Sequence, residues 1–304
     1  MTARSYQVNQ ANSKIRNTKN LNQRVVPAAS VLSRKAQEVE LLLEEIVRFQ
    51  LGLQEYPEAR IEQHSTIKNL ISFSKQIITQ MMRSNNRYRG YKVDTQNLIP
   101  SVKLLFLIGT LCEDFGYMNT SPLYGYNILD LGCGALSTYI EPEFPFFQVK
   151  KEEEFLNQFC KDHPPLGAEI LQILGARVIG LDPRAHDKAE YEYQTTYKHR
   201  AIEFNKIKEW LPSVETKFEV ISCLSLFNKY DFAYHYSTSR QIAYFLNTLR
   251  SILMPKGILY SDPPETPCTP EAREMNRRIF QQAGFRVIYE GYFYILEPID
   301  TTLP

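Results

Sequence analysis

Ile128-Leu129-Asp130-Leu131-Gly132-Cys133-Gly134-Ala135-Leu136-Ser137 is the stretch that decides the fold. An apolar run leads directly into a turn with two glycines two residues apart. Lacking a Cβ, such glycines let the backbone bend tightly and come close to a ligand. Residues 127–131 read as a short buried strand, and the turn sits at its carboxyl end. Open α/β sheets bind their ligands at that edge.

Working outward, residues 177–181 read as a second strand, ending at Asp182-Pro183. Residues 218–224 and 257–260 read as two more. Residues 285–289 and 292–296 read as a terminal hairpin turning at Glu290-Gly291. Helical patterns lie between the earlier strands, at 166–174, 185–193 and 241–253. In the last of these, Ile242, Phe245, Leu246, Leu249, Ile252 and Leu253 share one face. Strands alternating with helices predict right-handed crossovers and a mainly parallel sheet covered on both faces. The hairpin adds an antiparallel element at one side.

The Asp130-x-Gly132-x-Gly134 turn, with this order of elements around it, resembles motif I of the class I S-adenosylmethionine-dependent methyltransferases. A nicotinamide fingerprint, G-x-G-x-x-G, fits less well, because Ser137 stands at the third glycine and the acid precedes the first. The resemblance covers residues 121–297. It implies an α/β fold with a seven-stranded, Rossmann-like sheet, mainly parallel with a C-terminal antiparallel hairpin. It implies S-adenosylmethionine (SAM) as cofactor, held around Asp130, Gly132, Cys133 and Gly134. Val178-Ile179-Gly180-Leu181-Asp182 matches the family's second strand, which makes Asp182 the acid that holds the ribose hydroxyls. A carboxylate suits that task because it accepts two hydrogen bonds from a vicinal diol.

The resemblance also implies a third strand near 201–204, followed by an adenine reader. Asn205 takes that place where the family usually has Asp, with Glu203 offered by another register. Ser222 and Cys223 close the fourth strand and line the methionine part of the cofactor. Leu253-Met254-Pro255-Lys256-Gly257 resembles the family's L-x-P-G-G turn, with Lys256 in place of the first glycine. Plainer readings stand beside these. The glycines could form an ordinary turn, Asp130 could cap its amides, and Asp182 could be a helix N-cap ahead of Pro183.

One departure is large. From Gly134 to Asp182 there are 48 residues, against about 20 for a single crossover helix. The surplus falls in an insertion at 139–165. It holds Phe144-Pro145-Phe146-Phe147, a short helical stretch at 150–161, and Pro164-Pro165. At this edge it would form a lid or a wall of the substrate pocket. The acidic run at 152–154 reads as a solvated helix start.

Residues 228–239 follow the fourth strand and should overhang the transferred group. His235 is the candidate base, since imidazole titrates near neutrality. Asp231, Tyr234 and Tyr236 are neighbours placed to bind substrate. A surface turn with aromatic packing is the plainer reading. Methyl transfer is an in-line displacement, so alignment does much of the work. Asp262-Pro263-Pro264-Glu265 looks like the [DN]-P-P-[YF] loop of amino-group methyltransferases. It follows the fifth strand rather than the fourth and ends in Glu, so it reads as a proline-stiffened loop.

The 304 residues divide into a basic polar tail at 1–36, a helical cap or layer at 37–120, and a SAM-binding domain at 121–304. The layer shows helical apolar spacing at 39–49, 67–82 and 98–111. It is expected to close over the site. The total charge is +1, with 43% hydrophobic and 23% charged residues, an ordinary globular balance. Seven basic residues and no acid lie within 1–37, which leaves −6 for the rest of the chain. That balance favours a small-molecule substrate over an extended nucleic-acid surface. The tail keeps a docking role toward nucleic acid open. Arg83, Arg87, Arg89 and Lys92 interleave with Tyr88 and Tyr91 in a stretch that reads as a solvated loop.

Five widely spaced cysteines with no CxxC argue against a disulfide framework, and the five histidines form no metal motif. The start lacks the apolar core of a secretory signal. The longest apolar run, inside 104–112, is far short of the ~20 residues a bilayer requires. A cytoplasmic protein without membrane contact is expected. The function expected is transfer of a methyl group from SAM to an oxygen or nitrogen nucleophile on a small molecule. A SAM-binding sensor or scaffold without catalysis is the alternative. An RNA methyltransferase and a nicotinamide-dependent oxidoreductase stand behind it.

Overall fold

The computed structural model describes residues 26–50, 52–55, 57–84, 102–112, 121–135, 165–183, 197–224, 226–227, 236–265 and 269–299. Its centre is a seven-stranded sheet in the order β3-β2-β1-β4-β5-β7-β6. The strands are β1 (Asn127–Leu131), β2 (Arg177–Asp182), β3 (Lys198–Ala201), β4 (Phe218–Cys223), β5 (Leu253–Ser261), β6 (Phe285–Glu290) and β7 (Tyr294–Pro298). β1 to β5 pair in parallel, and β7 runs antiparallel between β5 and β6. This is the Rossmann-like sheet that the glycine turn implied.

Successive side chains of a strand point to opposite faces, and the core divides accordingly. Ile128, Val178, Val220, Ile258 and Ile295 belong to one buried cluster. Leu129, Leu131, Leu181, Ile221, Leu259 and Leu296 belong to the other. The first face is covered by α1 (Ala29–Gln50), α3 (Ser65–Ser84), α4 (Val102–Leu111) and α5 (Leu166–Ile173). A short α2 (Glu58–Gln63) precedes α3. The second face is covered by α6 (Ile207–Trp210), α7 (Ser239–Arg250) and α8 (Pro270–Gln282).

The described helices before β1 therefore form one outer layer of the same α/β/α body. α4 has eight of its ten residues buried. Phe106 meets Tyr260 edge-on at 6.0 Å and Phe293 at 4.9 Å, and Thr110 Oγ1 lies 2.6 Å from Tyr260 Oη. Gly109 is where the helices converge: a Cβ there would lie 3.0 Å from both Val39 and Ile67. The layer also starts earlier than expected. α1 begins at Ala29, inside the stretch read as tail, because Val26, Leu32 and Ala36 are buried against the core.

Other boundaries shift for local reasons. β3 lies at 198–201 rather than near 201–204, and its exposed Lys-His-Arg-Ala sequence carries no apolar signal. The helix expected over 241–253 stops at Arg250, since Leu253 already pairs with Phe218. β5 then takes a register irregularity before Ile258 pairs with Val220. Gly257 is required at that point, because a Cβ would sit 2.9 Å from the Phe218 carbonyl oxygen. α8 carries few apolar residues and has no expected counterpart. Its start signal is nevertheless written in the sequence, with Thr269 capping the Ala272 N–H and Pro270 in the first turn. The expected helix at 185–193 lies outside the described residues.

Candidate functional site

β1 is flanked by β2 on one side and β4 on the other. The chain builds outward from β1 through β2 to β3, then returns to place β4 and β5 on the opposite side. In open α/β sheets the ligand crevice lies where this order reverses, here at the carboxyl ends of β1 and β4. The glycine turn lies there. Gly132 has φ +71° and Gly134 has φ +89°, a left-handed conformation that disfavours any side chain. The Gly132 and Cys133 N–H groups both donate to the Leu181 carbonyl, at 2.7 and 3.2 Å. The Gly134 N–H donates to Asp182 Oδ2 at 3.0 Å.

Asp182 is 1% exposed and joins three elements. It ends β2, its carboxylate holds the glycine turn, and its carbonyl accepts from the Ile202 N–H at 3.0 Å as the chain leaves β3. Asp130, also buried, pairs in register with Gly180 and Ser222. Its carboxylate faces the first turn of α5, where a Cβ on Gly167 would be 3.8 Å from Oδ2. The exposed amides of a helix start favour a negative group there.

Cys133 lies in the turn, but its thiol faces β3. Sγ is 3.8 Å from His199 Nδ1, which lies 3.1 Å from Tyr197 Oη. Gly180 makes room for both side chains, since a Cβ there would be 2.7 Å from Sγ and from the Tyr197 ring. Ser222 and Cys223 end β4 and are buried. Burial pushes the Cys223 thiol well above its ordinary pKa, and the Asp262 and Asp130 carboxylates add to this.

Asn205 sits exposed on the 3-10 turn Phe204–Lys206, just past β3. Half-buried Tyr236 donates from Oη to the Phe204 carbonyl at 3.0 Å. Its ring packs against Phe245 at 4.9 Å, and burial raises its pKa above the usual phenol value. Asp231, Tyr234 and His235 lie outside the described residues, as do residues 139–164 of the insertion and residues 85–101.

The structure adds residues that the sequence did not single out. Asp262, 2% exposed, accepts from Lys103 Nζ at 2.7 Å, linking the first turn of α4 to the end of β5. Buried Asn276 of α8 accepts from the Glu265 N–H at 2.8 Å and donates to the Glu265 carbonyl at 3.2 Å. The Asp-Pro-Pro-Glu loop is thus held at both ends beside the crevice. No spacing rule relates Lys103 to Asp262, 159 residues apart. A polar residue among the few inward positions of α8 is the one hint for Asn276. Among the described residues, no three His, Cys, Asp or Glu side chains group as metal ligands, and no helix is long and apolar enough to cross a membrane.

No family model and no curated protein matches the chain. Solved structures similar to it are SAM-dependent methyltransferases of the class I fold. A TehB-like member from Corynebacterium glutamicum covers 76% of this chain and 98% of its own, at 13% identity and a TM-score of 0.32. Human N-acetylserotonin methyltransferase, in complex with SAM, covers 88% and 67%, at 10% identity and a TM-score of 0.33. SMU.776, complexed with S-adenosylhomocysteine (SAH), covers 58% of this chain and 46% of its own, at 7% identity and a TM-score of 0.34. The chain thus spans less than half the length of that last structure. At these identities and scores the likeness is one of fold.

Proposed function

We propose that this chain is a SAM-dependent methyltransferase acting on an oxygen or nitrogen nucleophile of a small molecule. The single observation that carries the reading is the bond from the Gly134 amide to the buried Asp182 carboxylate, set at the reversal point of the sheet. The residues fit the cofactor. Two glycines in the left-handed conformation form the turn at the strand end, and the Asp182 carboxylate is bonded to its backbone.

When bound, SAM supplies a methyl group on a sulfonium, open to in-line attack. The chain does the rest by holding and aligning. Gly132, Cys133 and Gly134 present backbone to the cofactor. Asp182 accepts from the ribose hydroxyls, using the four lone-pair sites of a carboxylate to serve the turn and the ligand together. Asn205 reads the adenine edge. Ser222 and Cys223 line the methionine end beside Asp130. On the acceptor side, His235 takes the proton that the nucleophile releases, and Asp231 and Tyr234 orient the acceptor. Alignment of the nucleophile with the transferred carbon supplies most of the rate. A small acceptor accords with the net −6 carried beyond residue 37, since a phosphate-rich partner needs a concentrated positive face.

Titration calorimetry of the purified protein with SAM and SAH tests this. Binding of both by the wild type, with no response to a reduced nicotinamide, is expected. A wild type that binds neither would remove the proposal. Transfer of a labelled methyl group into a small-molecule extract then separates an enzyme from a cofactor-binding scaffold.

A further inference from the structure

By its position after the fourth strand, Tyr236 is expected to contact substrate. Its hydroxyl is engaged elsewhere. It donates to the carbonyl of Phe204, the residue before Asn205. That carbonyl also accepts from the Ile207 N–H of the 3-10 turn, so the phenol is a second donor on the same oxygen. Phe204 is buried, so its carbonyl is a fixed point of the chain. Two residues upstream, the Ile202 N–H donates to the Asp182 carbonyl. Residues 202–204 are therefore tied at both ends, to β2 through Ile202 and to the start of α7 through Tyr236. The Tyr236 ring, packed on Phe245 of α7, makes that second tie rigid. Asn205 itself is exposed on the last part of this stretch.

We infer that Tyr236 is a positioning residue for the adenine end of the cofactor site, acting through the Phe204 carbonyl to set the place of Asn205. The inference rests on the proposed function above and moves Tyr236 from the acceptor side to the cofactor side. A backbone carbonyl held by a phenol helps to orient the peptide plane that it shares with the next residue's N–H. Loss of the hydroxyl leaves the ring packing in place and releases only that tie. Tyr236→Phe is thus a clean probe.

The experiment is a double-mutant cycle read by calorimetry, with SAH and, separately, with adenosine as the fragment lacking the methionine end. Tyr236→Phe is expected to weaken both ligands about fivefold, the worth of one neutral hydrogen bond. Asn205→Ala is expected to weaken both as well. The double variant should bind no worse than Asn205→Ala alone, because Tyr236 acts through Asn205. The melting temperature of Tyr236→Phe should fall by no more than the loss of one hydrogen bond accounts for, and a larger fall would overturn the inference as a local role. The inference is overturned if Tyr236→Phe leaves affinity unchanged, if Asn205→Ala does, or if Tyr236→Phe costs its full factor in the Asn205→Ala background. A wild type that binds neither ligand overturns the proposed function and this inference together, which sets that failure apart from the others.

Discussion

The Gly134 amide and the Asp182 carboxylate lie 3.0 Å apart although 48 residues separate them. One end of the bond belongs to the turn after β1 and the other to the last residue of β2. The bond shapes the turn and at the same time holds the buried carboxylate against it. Removing it should be felt by any ligand of the turn. Asp182→Ala is expected to weaken SAH binding by one to two orders of magnitude, from the ~1.5–3 kcal/mol that hydrogen bonds to a charged group contribute. Asp182→Asn, which keeps one acceptor oxygen, should fall between the two. Calorimetry on the three proteins measures this.

Gly180 has no room for a side chain. A Cβ would lie 2.7 Å from Cys133 Sγ and equally close to the Tyr197 ring. Gly180→Ala should destabilise the protein by about 1–3 kcal/mol, the usual cost of overpacking. Placing the same substitution in a Cys133→Ala background removes one of the two obstructions. The cost there should be smaller, and urea denaturation of the four proteins would reveal it.

Glu40 of α1 makes the stability of the helical layer depend on pH. Its carboxylate accepts from Tyr289 Oη and from the Tyr292 N–H at the β6–β7 hairpin. Burial raises its pKa above the ordinary carboxylate value, outweighing the lowering by these bonds. The folded state therefore binds the proton more tightly than the unfolded state. Glu40's contribution is most favourable below the unfolded pKa and declines as pH rises through the folded one. Glu40→Gln keeps an acceptor oxygen without the charge. Its urea midpoint, relative to the wild type, should rise between pH 4 and pH 8. A difference that is flat or falls with pH would count against the burial account.

Lys103 and Asp262 join the N-terminal layer to the rim of the crevice. Asp262 is almost fully buried, whereas the Lys103 side chain is 28% exposed. Lys103→Met would leave a buried carboxylate without its cation and should cost about 1–3 kcal/mol. Adding Asp262→Asn should recover part of that, because the charge left behind is then gone. Thermal unfolding of the two single variants and the double variant gives the coupling.

Legibility of the fold followed burial. β1 was expected at 127–131 and lies at Asn127–Leu131, because four of its five residues are buried and the run is plainly apolar. β3 lies three residues before its expected place because an edge strand of Lys, His, Arg and Ala need not be apolar. α8 went unread since it turns only Asn276, Ile279 and Phe280 fully inward. At the site, Asp130, Gly132, Gly134 and Asp182 could be picked out because a turn at a strand end leaves a local signature. Lys103 and the Phe204 tie of Tyr236 leave none, and Asn276 only the hint of a polar residue at an inward position of α8. Each is a contact between side chain and distant chain that only packing creates.

By itself the sequence determined a parallel α/β sheet, the place of its glycine turn, and the acid that ends β2, because these depend on local periodicity and on residues that alone tolerate the backbone. Tertiary structure decided what those residues touch. It put α1 and α4 on one face of the sheet, where Phe106 and Ile108 are buried in one cluster with Tyr260 and so removed from water. It also brought the Cys133 thiol to His199, aimed Tyr236 at a backbone carbonyl, and paired Asp262 with Lys103. A buried polar group must find a partner wherever the fold brings one within reach, and sequence distance does not set that reach.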